Sequence, residues 1–256
     1  MTVSLTRDGS FAVLTLNRPE ALNALSFAII RQIDQAVREV AQSDARGLIV
    51  TGAGPKSFCA GADIKELIGR GLQSQHEGAR GGQLVFDRLA ELRIPSVAVI
   101  HGYAFGGGLE LALACTFRVG TAQAKLGLPE VKLGLIPGYG GTQRLPRLIG
   151  EGRALDIILS GRTVGAEEAE RIGLLNRVMA GDDPVSLGKS YLEPMLQHGL
   201  GALQFARQAV QRGMQTTLEQ GLRIECDLST LAFQTEDAAE GMAAFAEKRN
   251  AQFKDR

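Results

Sequence analysis

PSVAVIHGYAFGGGLELALAC, residues Pro95–Cys115, carries three kinds of local structure in one stretch. Pro95 opens a short apolar run, PSVAVI, with the composition of a buried strand. Gly102 to Gly108 is a glycine-rich loop. LELALAC is apolar nearly all round and reads as a buried helix. The same order occurs upstream: GLIVT (Gly47–Thr51) is a short buried strand, a glycine-rich turn runs from Gly52 to Gly61, and a helix is expected from Ile64, with further helix over His76–Arg93. Alternation of this kind specifies an α/β core with partly parallel strands.

Working outward, Val3–Leu5 and Phe11–Leu16 flank Asp8-Gly9, a hairpin signal. Ser26 is placed to cap a helix whose apolar residues Ile29, Ile30, Ile33, Val37 and Val40 recur at helical spacing. Thr116–Thr121 is another strand. Beyond it the chain changes character: Gly150–Ser160, Ala166–Arg171, Val185–Gln197, Ala202–Arg212, Leu218–Phe233 and Glu236–Asn250 all read as helices. Gly173 suits a helix C-terminus and Thr235 an N-terminus. This divides the chain into a core over residues 1–196, holding the active site, and a helical region over 197–256.

The 256 residues are 45% hydrophobic, enough for a sizeable core, and 28 basic residues balance 28 acidic ones. That balance leaves no electrostatic footprint for nucleic acid or an anionic membrane. Cys59, Cys115 and Cys226 are widely spaced, and His76, His101 and His198 stand alone, so neither zinc nor a disulfide framework is expected. The start, MTVSLTRDGSFAVLTLNRP, alternates like strands and has no basic leader with an apolar stretch. No apolar run approaches the roughly 20 residues of a membrane helix. A soluble, cytoplasmic protein is the expectation.

The chemistry-bearing features begin with two glycine loops, FCAGAD (Phe58–Asp63) and GYAFGGGLE (Gly102–Glu110), each after a strand. If both lie at the same ends of neighbouring strands, their backbone N–H groups can converge on one oxyanion. The second loop runs straight into a helix, whose N-terminus adds free N–H groups and a partial positive charge. Glu110 lies in the first turn of that apolar helix, where a carboxylate is shielded and needs a partner or a purpose. Glu130, in GLPEVKLGLIPG, sits at a loop or helix start. Either acid alone reads equally well as a dipole partner or a surface charge; together with the two loops they suit acid/base work. IPGYGGTQRLPR (Ile136–Arg147) is a third glycine-rich loop, able to wall a pocket, with Gly138 its candidate substrate contact; the next helix is expected near Gly150. Tyr139, Leu72 and Leu84 are candidates for the pocket border. Gly69–Gly82, with five glycines, reads as a mobile part of the pocket wall.

Five blocks in order, NRPEALNALS (Asn17–Ser26), FCAGADIKE (Phe58–Glu66), GYAFGGGLELALAC (Gly102–Cys115), GLPEVKLGLIPGYGGTQRLPR (Gly127–Arg147) and EGMAAFAEKR (Glu240–Arg249), make the chain resemble the crotonase, or enoyl-CoA hydratase/isomerase, superfamily over essentially its whole length. The resemblance implies a crotonase-like spiral of repeated ββα units with a C-terminal helical trimerisation region. It implies an oxyanion hole from the N–H groups of Ala62 and Gly107, and Glu110 and Glu130 as the catalytic acids. Members with both glutamates are generally hydratases and those with only the second are often isomerases, so hydration of a 2-enoyl-CoA is favoured here. Ala21, Ala60, Asp63 and Ile64 match positions lining the coenzyme A tunnel, and Lys248 matches a lysine that often reaches the nucleotide of a neighbouring subunit's ligand. Coenzyme A enters as part of the acyl-CoA thioester substrate; no separate cofactor or metal is implied. A homotrimer or a dimer of trimers is implied as well. One departure is Glu20, where some hydratases carry a lysine that contacts coenzyme A phosphates.

Three alternatives remain at this stage. An enoyl-CoA isomerase shares the oxyanion hole but needs one base. A methylglutaconyl-CoA hydratase-like activity fits GGGLELALAC and GGTQRLPR equally well. A non-catalytic RNA-binding or scaffold role is weakened by the zero net charge. A nucleotide-binding domain is disfavoured because GYGGTQ lacks a third glycine and GAGPKS has Pro55 before Lys56.

Overall fold

In the computed structural model of the chain, residues 2–256 are described. The N-terminal hairpin pairs β1 (Val3–Asp8) with β2 (Phe11–Leu16), and Asp8 faces Phe11 across a turn in which Gly9 is left-handed. Helix α1 (Phe27–Gln42) starts where Ser26 Oγ accepts from the Ile29 N–H at 3.1 Å, and it buries Ile29, Ile30, Ile33, Val37 and Val40. Three turns of one unit follow. The first is β3 (Gly47–Gly52), β4 (Ser57–Cys59) and α2 (Leu72–Glu91). The second is β5 (Ser96–Ile100), β6 (Tyr103–Phe105) and α3 (Gly107–Ala114). The third is β7 (Phe117–Gly120), β8 (Lys125–Gly127) and α4 (Gly141–Ile149).

Each turn contributes one strand to each of two sheets. The larger sheet runs β1-β2-β3-β5-β7 and ends on β10 (Arg177–Val178); the smaller runs β4-β6-β8 and ends on β9 (Val164–Gly165). All pairings are parallel except β1 with β2 and β8 with β9. Strands β3 and β5 are buried along their length, which is why GLIVT and SVAVI are continuous apolar runs with no alternation. Helices α5 (Glu151–Ser160), α6 (Ala166–Arg171) and α7 (Pro184–Leu192) follow.

Residues up to Leu92 with Ser96–Tyr191 form one compact unit; Arg93–Pro95 with Leu192–Arg256 form a second. The second unit contains α8 (Leu200–Gly213), α9 (Leu218–Phe233) and α10 (Glu236–Glu247). Within it, Arg207 donates to the Ile94 carbonyl at 2.8 Å, which ties the short Arg93–Pro95 segment to the late helices.

Several local readings change. No helix starts at Ile64: Ile64–Glu66 is a single 3₁₀ turn, closed by Asp63 and followed by left-handed Gly69. The Gly69–Gly82 stretch is not a loop throughout, since α2 begins at Leu72. Its glycines there permit close approach: a Cβ on Gly78 would lie 2.6 Å from the Phe27 ring, and one on Gly82 would lie 2.4 Å from the Tyr139 ring. The helix expected near Gly150 is α5, and a further helix, α4, precedes it from Gly141, because left-handed Gly140 turns the chain into it. Val185–Gln197 divides into α7 and a 3₁₀ turn, Met195–Gln197, with Pro194 between them. The strands β4, β6 and β8 were hidden inside stretches read as glycine loops or left unread; at three residues each they are too short to show a period.

Asn23 is fully buried and left-handed (φ 58°). Its Oδ1 accepts from the Arg18 N–H, and its Nδ2 donates to the carbonyls of Ala53 and Ser57, all at 2.9 Å. It therefore fastens the segment before α1 to the start of β4. Asn23→Ala leaves three backbone groups without these partners, that of Ser57 buried and those of Arg18 and Ala53 partly so, and is expected to cost about 3 kcal/mol. A urea denaturation midpoint unchanged from the parent would contradict this role.

Candidate active site

The three parallel strands of the smaller sheet end on one edge. Ser57 pairs with Tyr103 and Cys59 with Ala104; Tyr103, Ala104 and Phe105 pair with Lys125, Leu126 and Gly127. The chain leaves β4 into Ala60-Gly61-Ala62, β6 into Gly106-Gly107, and β8 into Leu128-Pro129-Glu130. Both glycine loops thus do lie at the same ends of neighbouring strands, where ligands of parallel sheets are bound. They are pressed together: Gly61 Cα lies 3.7 Å from where a Cβ of Gly106 would stand, and a Cβ on Gly108 would lie 2.1 Å from the Cys59 carbonyl oxygen. Gly61 and Gly106 are both left-handed, at φ 108° and 50°.

Two backbone donors face this edge. Leu25 bridges Ala62 in parallel fashion: the Leu25 N–H donates to the Gly61 carbonyl and the Asp63 N–H to the Leu25 carbonyl, each at 2.8 Å. In that arrangement the N–H of Ala62 itself points away from Leu25. Gly107 is the first residue of α3, so its N–H has no acceptor within the helix and sits at the positive end of the dipole. Both residues line one cavity of about 220 Å³.

Two carboxylates line the same cavity. Glu110, on the first turn of α3, is 1% exposed, and its Oε1 accepts from the N–H groups of Tyr139 (2.8 Å) and Gly141 (2.7 Å). Burial pushes its pKa up to about 7, with the negative charge of Glu130 adding to the rise and the two N–H bonds and Arg144 opposing it. Glu130 opens a 3₁₀ turn, Glu130–Leu133, and is half-buried. Its Oε2 is buried without a hydrogen-bond partner among the described residues, and burial raises its pKa as well. A Cβ on Gly106 would lie 2.9 Å from Glu130 Oε1, so glycine is needed beneath this carboxylate.

A carboxyl group whose pKa is raised from 4.5 to about 7 favours the fold fully below the ordinary value, and that contribution is lost as pH rises through 7. Glu110→Gln keeps an oxygen for the two N–H donors and removes the buried charge. It is expected to stabilise the protein by about 3 kcal/mol at pH 8 and by less than about 1 kcal/mol at pH 5. Thermal melts at both pH values check this; an equal shift at each would mean that Glu110 does not titrate as its burial requires.

Of the residues singled out from the sequence, Ala60, Ala62, Ile64, Gly107, Glu110, Glu130 and Gly138 line the cavity, as does Tyr139. Asp63 does not: its carboxylate bonds Arg18 at 2.8 Å and caps the Lys65 N–H at 3.2 Å. Ala21 ends a 3₁₀ turn, Pro19–Ala21, off the cavity wall. Lys248 is the left-handed C-cap of α10 in the second unit. Leu72 and Leu84 face solvent, at 91% and 40% exposure, because the helical course of α2 turns them outward. The same helix brings Gln75 and Ala79, one turn apart, to the wall instead. Those two were obscured by the glycine content of their segment. Leu133, Leu135 and Ile136 close the opposite side. No group of three or more metal-ligating side chains occurs among the described residues, and none of their helices is long and apolar enough to cross a membrane.

Comparison with known proteins agrees with this geometry. The family described as Enoyl-CoA hydratase/isomerase matches residues 6–256. The chain is 41% identical over 252 residues to a protein of Syntrophomonas wolfei named Crotonyl-CoA hydratase, covering 98% of this chain and 97% of that one. It is 40% identical over 256 residues to the Short-chain-enoyl-CoA hydratase of Clostridium acetobutylicum, covering 99% and 98%. The crystal structure of an enoyl-CoA hydratase from Bacillus anthracis superposes over 100% of both chains with a TM-score of 0.95 at 36% identity. Two parallel ββα-borne glycine loops, one buried and one half-buried carboxylate beside them and a match along nearly the full length make this chain a member of the enoyl-CoA hydratase/isomerase family.

Proposed function

We infer that the protein is an enoyl-CoA hydratase, adding water syn across the double bond of a 2-enoyl-CoA thioester to give the 3-hydroxyacyl-CoA. The observation that carries this is the presence of both glutamates on one cavity wall, beside the only-glycine approach of the β4 and β6 loops. The names of the relatives point the same way, and they favour a short acyl chain.

Attack of water at the β-carbon drives charge onto the thioester oxygen. The N–H groups of Ala62 and Gly107 receive that oxygen; one such donor is worth about 2.7–4 kcal/mol of barrier. Glu110 and Glu130 hold the water between them. Glu110, with Oε1 pinned by two N–H donors, activates and orients the water; Glu130, with an unpartnered oxygen, delivers the proton to the α-carbon. The reverse reaction uses Glu130 as base. Burial raises both acids, and the charge of Glu130 adds to the rise at Glu110. Coenzyme A comes and goes with the substrate, and Ala60 and Ile64 contact it at the cavity mouth. Ala21 and Asp63, outside the cavity lining, are proposed to contact the coenzyme A portion beyond it.

The test is incubation with crotonyl-CoA in water, following loss of the conjugated enoyl absorbance, beside a 3-enoyl-CoA. Hydration of crotonyl-CoA is expected. Isomerisation of the 3-enoyl thioester with no hydration would replace this reading by the isomerase one.

In the assembly we propose a homotrimer or a dimer of trimers, built on the helical unit, whose Leu218, Phe233 and Phe245 are 80%, 62% and 87% exposed. There Lys248 reaches the nucleotide of a neighbouring subunit's ligand. The expected setting is the cytoplasm, in fatty acid β-oxidation.

A further inference from the structure

Glu110 owes its orientation to a loop that is itself held from outside. Its donors, Tyr139 and Gly141, precede or open α4. Arg144, one turn into α4, donates from Nη1 to the Tyr139 carbonyl at 3.1 Å and from Nη2 to Asp87 Oδ1 on α2 at 2.5 Å. One turn earlier on α2, Gln83 donates to the Gly138 carbonyl at 3.0 Å. The Tyr139 ring lies edge-on to Phe86 and against Gly82. Gly140 is left-handed (φ 115°), and a Cβ there would stand 2.3 Å from Arg144 Nη1, so glycine at 140 is what lets the guanidinium reach in.

We propose that Arg144, anchored by Asp87, is a positioning residue for Glu110: by holding the Tyr139 carbonyl it aims the Tyr139 and Gly141 N–H groups at Glu110 Oε1 and so directs the other oxygen at the water. The physical reason is geometric. Two donors on one oxygen fix the rotation of a carboxylate, and they can do so only if their peptides are fixed. The Tyr139 carbonyl lies within this same turn, so the bond from Arg144 sets the tilt of the loop. Asp87 keeps the guanidinium in place with a charge-assisted bond. Arg144 does not touch the reacting atoms.

The groups around Glu110 set the sign of the expected pH effect. Glu130 repels its charge, Arg144 attracts it, and the phenol of Tyr139, itself pushed up to about 12, stays neutral. On β4, Cys59 is also held neutral, with its thiol pushed up to about 12. Arg118 of β7 is spent on the carbonyls at the far end of α3. Asp87 is paired with Arg144. Removing Arg144 therefore removes both the cation and the aim of the N–H donors, and both losses favour the protonated acid.

The turnover measurements rest on the hydratase reading. Arg144→Met is expected to lower kcat for crotonyl-CoA hydration by up to about 10²-fold with KM little changed. The limb of the kcat/KM profile that reports Glu110 moves to higher pH. Arg144→Lys keeps a cation and is expected to restore the position of that limb and part of kcat. Asp87→Asn is expected to lower kcat less than Arg144→Met, in the same direction. A second readout needs no turnover: the melting-temperature difference between Glu110→Gln and its parent, followed against pH, should set in at higher pH when Arg144→Met is present in both. An unchanged kcat in Arg144→Met, or a loss of kcat with neither the limb nor the melting-difference onset moved, overturns the proposal. If the parent protein fails to hydrate crotonyl-CoA, the hydratase reading fails, and the melting-difference onset alone decides whether Arg144 positions Glu110.

Discussion

Glu130→Gln is expected to lower kcat for hydration of crotonyl-CoA by about 10²–10⁴-fold, the range of positioned acid/base catalysis. Glutamine keeps the volume of the side chain at the head of the 3₁₀ turn and loses only the ability to carry the proton. KM should change little, because in the proposed mechanism backbone donors and the cavity wall hold the thioester. Glu110→Gln is expected to lower kcat over the same range. The two variants separate on a 3-enoyl-CoA: shifting a double bond needs one base, so any such activity should disappear with Glu130→Gln and survive Glu110→Gln. The pH profile of the parent should turn near pH 7, since Glu110 is pushed up to about 7. Full hydration by either variant would remove that carboxylate from the mechanism.

Gly107→Pro is expected to lower kcat by about 10²–10³-fold beyond the effect of Gly107→Ala. Proline is tolerated at the first position of a helix, where the N–H has no helical acceptor. At Gly107, the first residue of α3, it deletes the N–H proposed as oxyanion donor at a position where a helix accommodates proline. Alanine at the same place keeps the N–H and reports crowding alone: its Cβ would stand 3.3 Å from Leu25 Cδ1 and from the Tyr139 ring. Both neighbours are side chains that can give by a few tenths of an ångström. Circular dichroism and melting temperature show whether each variant is folded. If Gly107→Pro turns over within about tenfold of Gly107→Ala, the Gly107 N–H is not the donor that binds the developing oxyanion.

The two predictions draw on different layers of information. The paired glycine loops made an oxyanion site plausible from the sequence, since three glycines opening an apolar helix have no cheap structural explanation; the family resemblance singled out Glu110, Glu130, Ala62 and Gly107. The cavity confirms their company, since all four line it. The hairpin and α1 were legible because each is long enough to show its period and is bounded by a cap or turn residue, and β3 and β5 because they are continuous β-rich apolar runs.

The strands β4, β6 and β8 were not legible, and they are the elements that bring the loops together. Three residues show no alternation, and their pairing is decided by strands 22 to 46 positions away. The Gly69–Gly82 stretch was legible as pocket wall, which Gln75 and Ala79 line, but the start of α2 at Leu72 was not, because its glycines look like a loop until Phe27 and Tyr139 are seen packed against them. The bond from Arg18 to Asp63, 45 residues apart in the chain, was equally out of reach of the sequence.

By itself, then, the sequence determined the chemical inventory and the local elements, because capping, periodicity and glycine content act over a few residues. Only the tertiary structure decided which backbone N–H groups face one cavity, that Glu110 is buried against the Tyr139 and Gly141 N–H groups, and that Arg144 holds that loop. Those outcomes depend on parallel pairing and burial between segments far apart in the chain, and the free energy of burial that raises the Glu110 pKa exists only once they have closed around it.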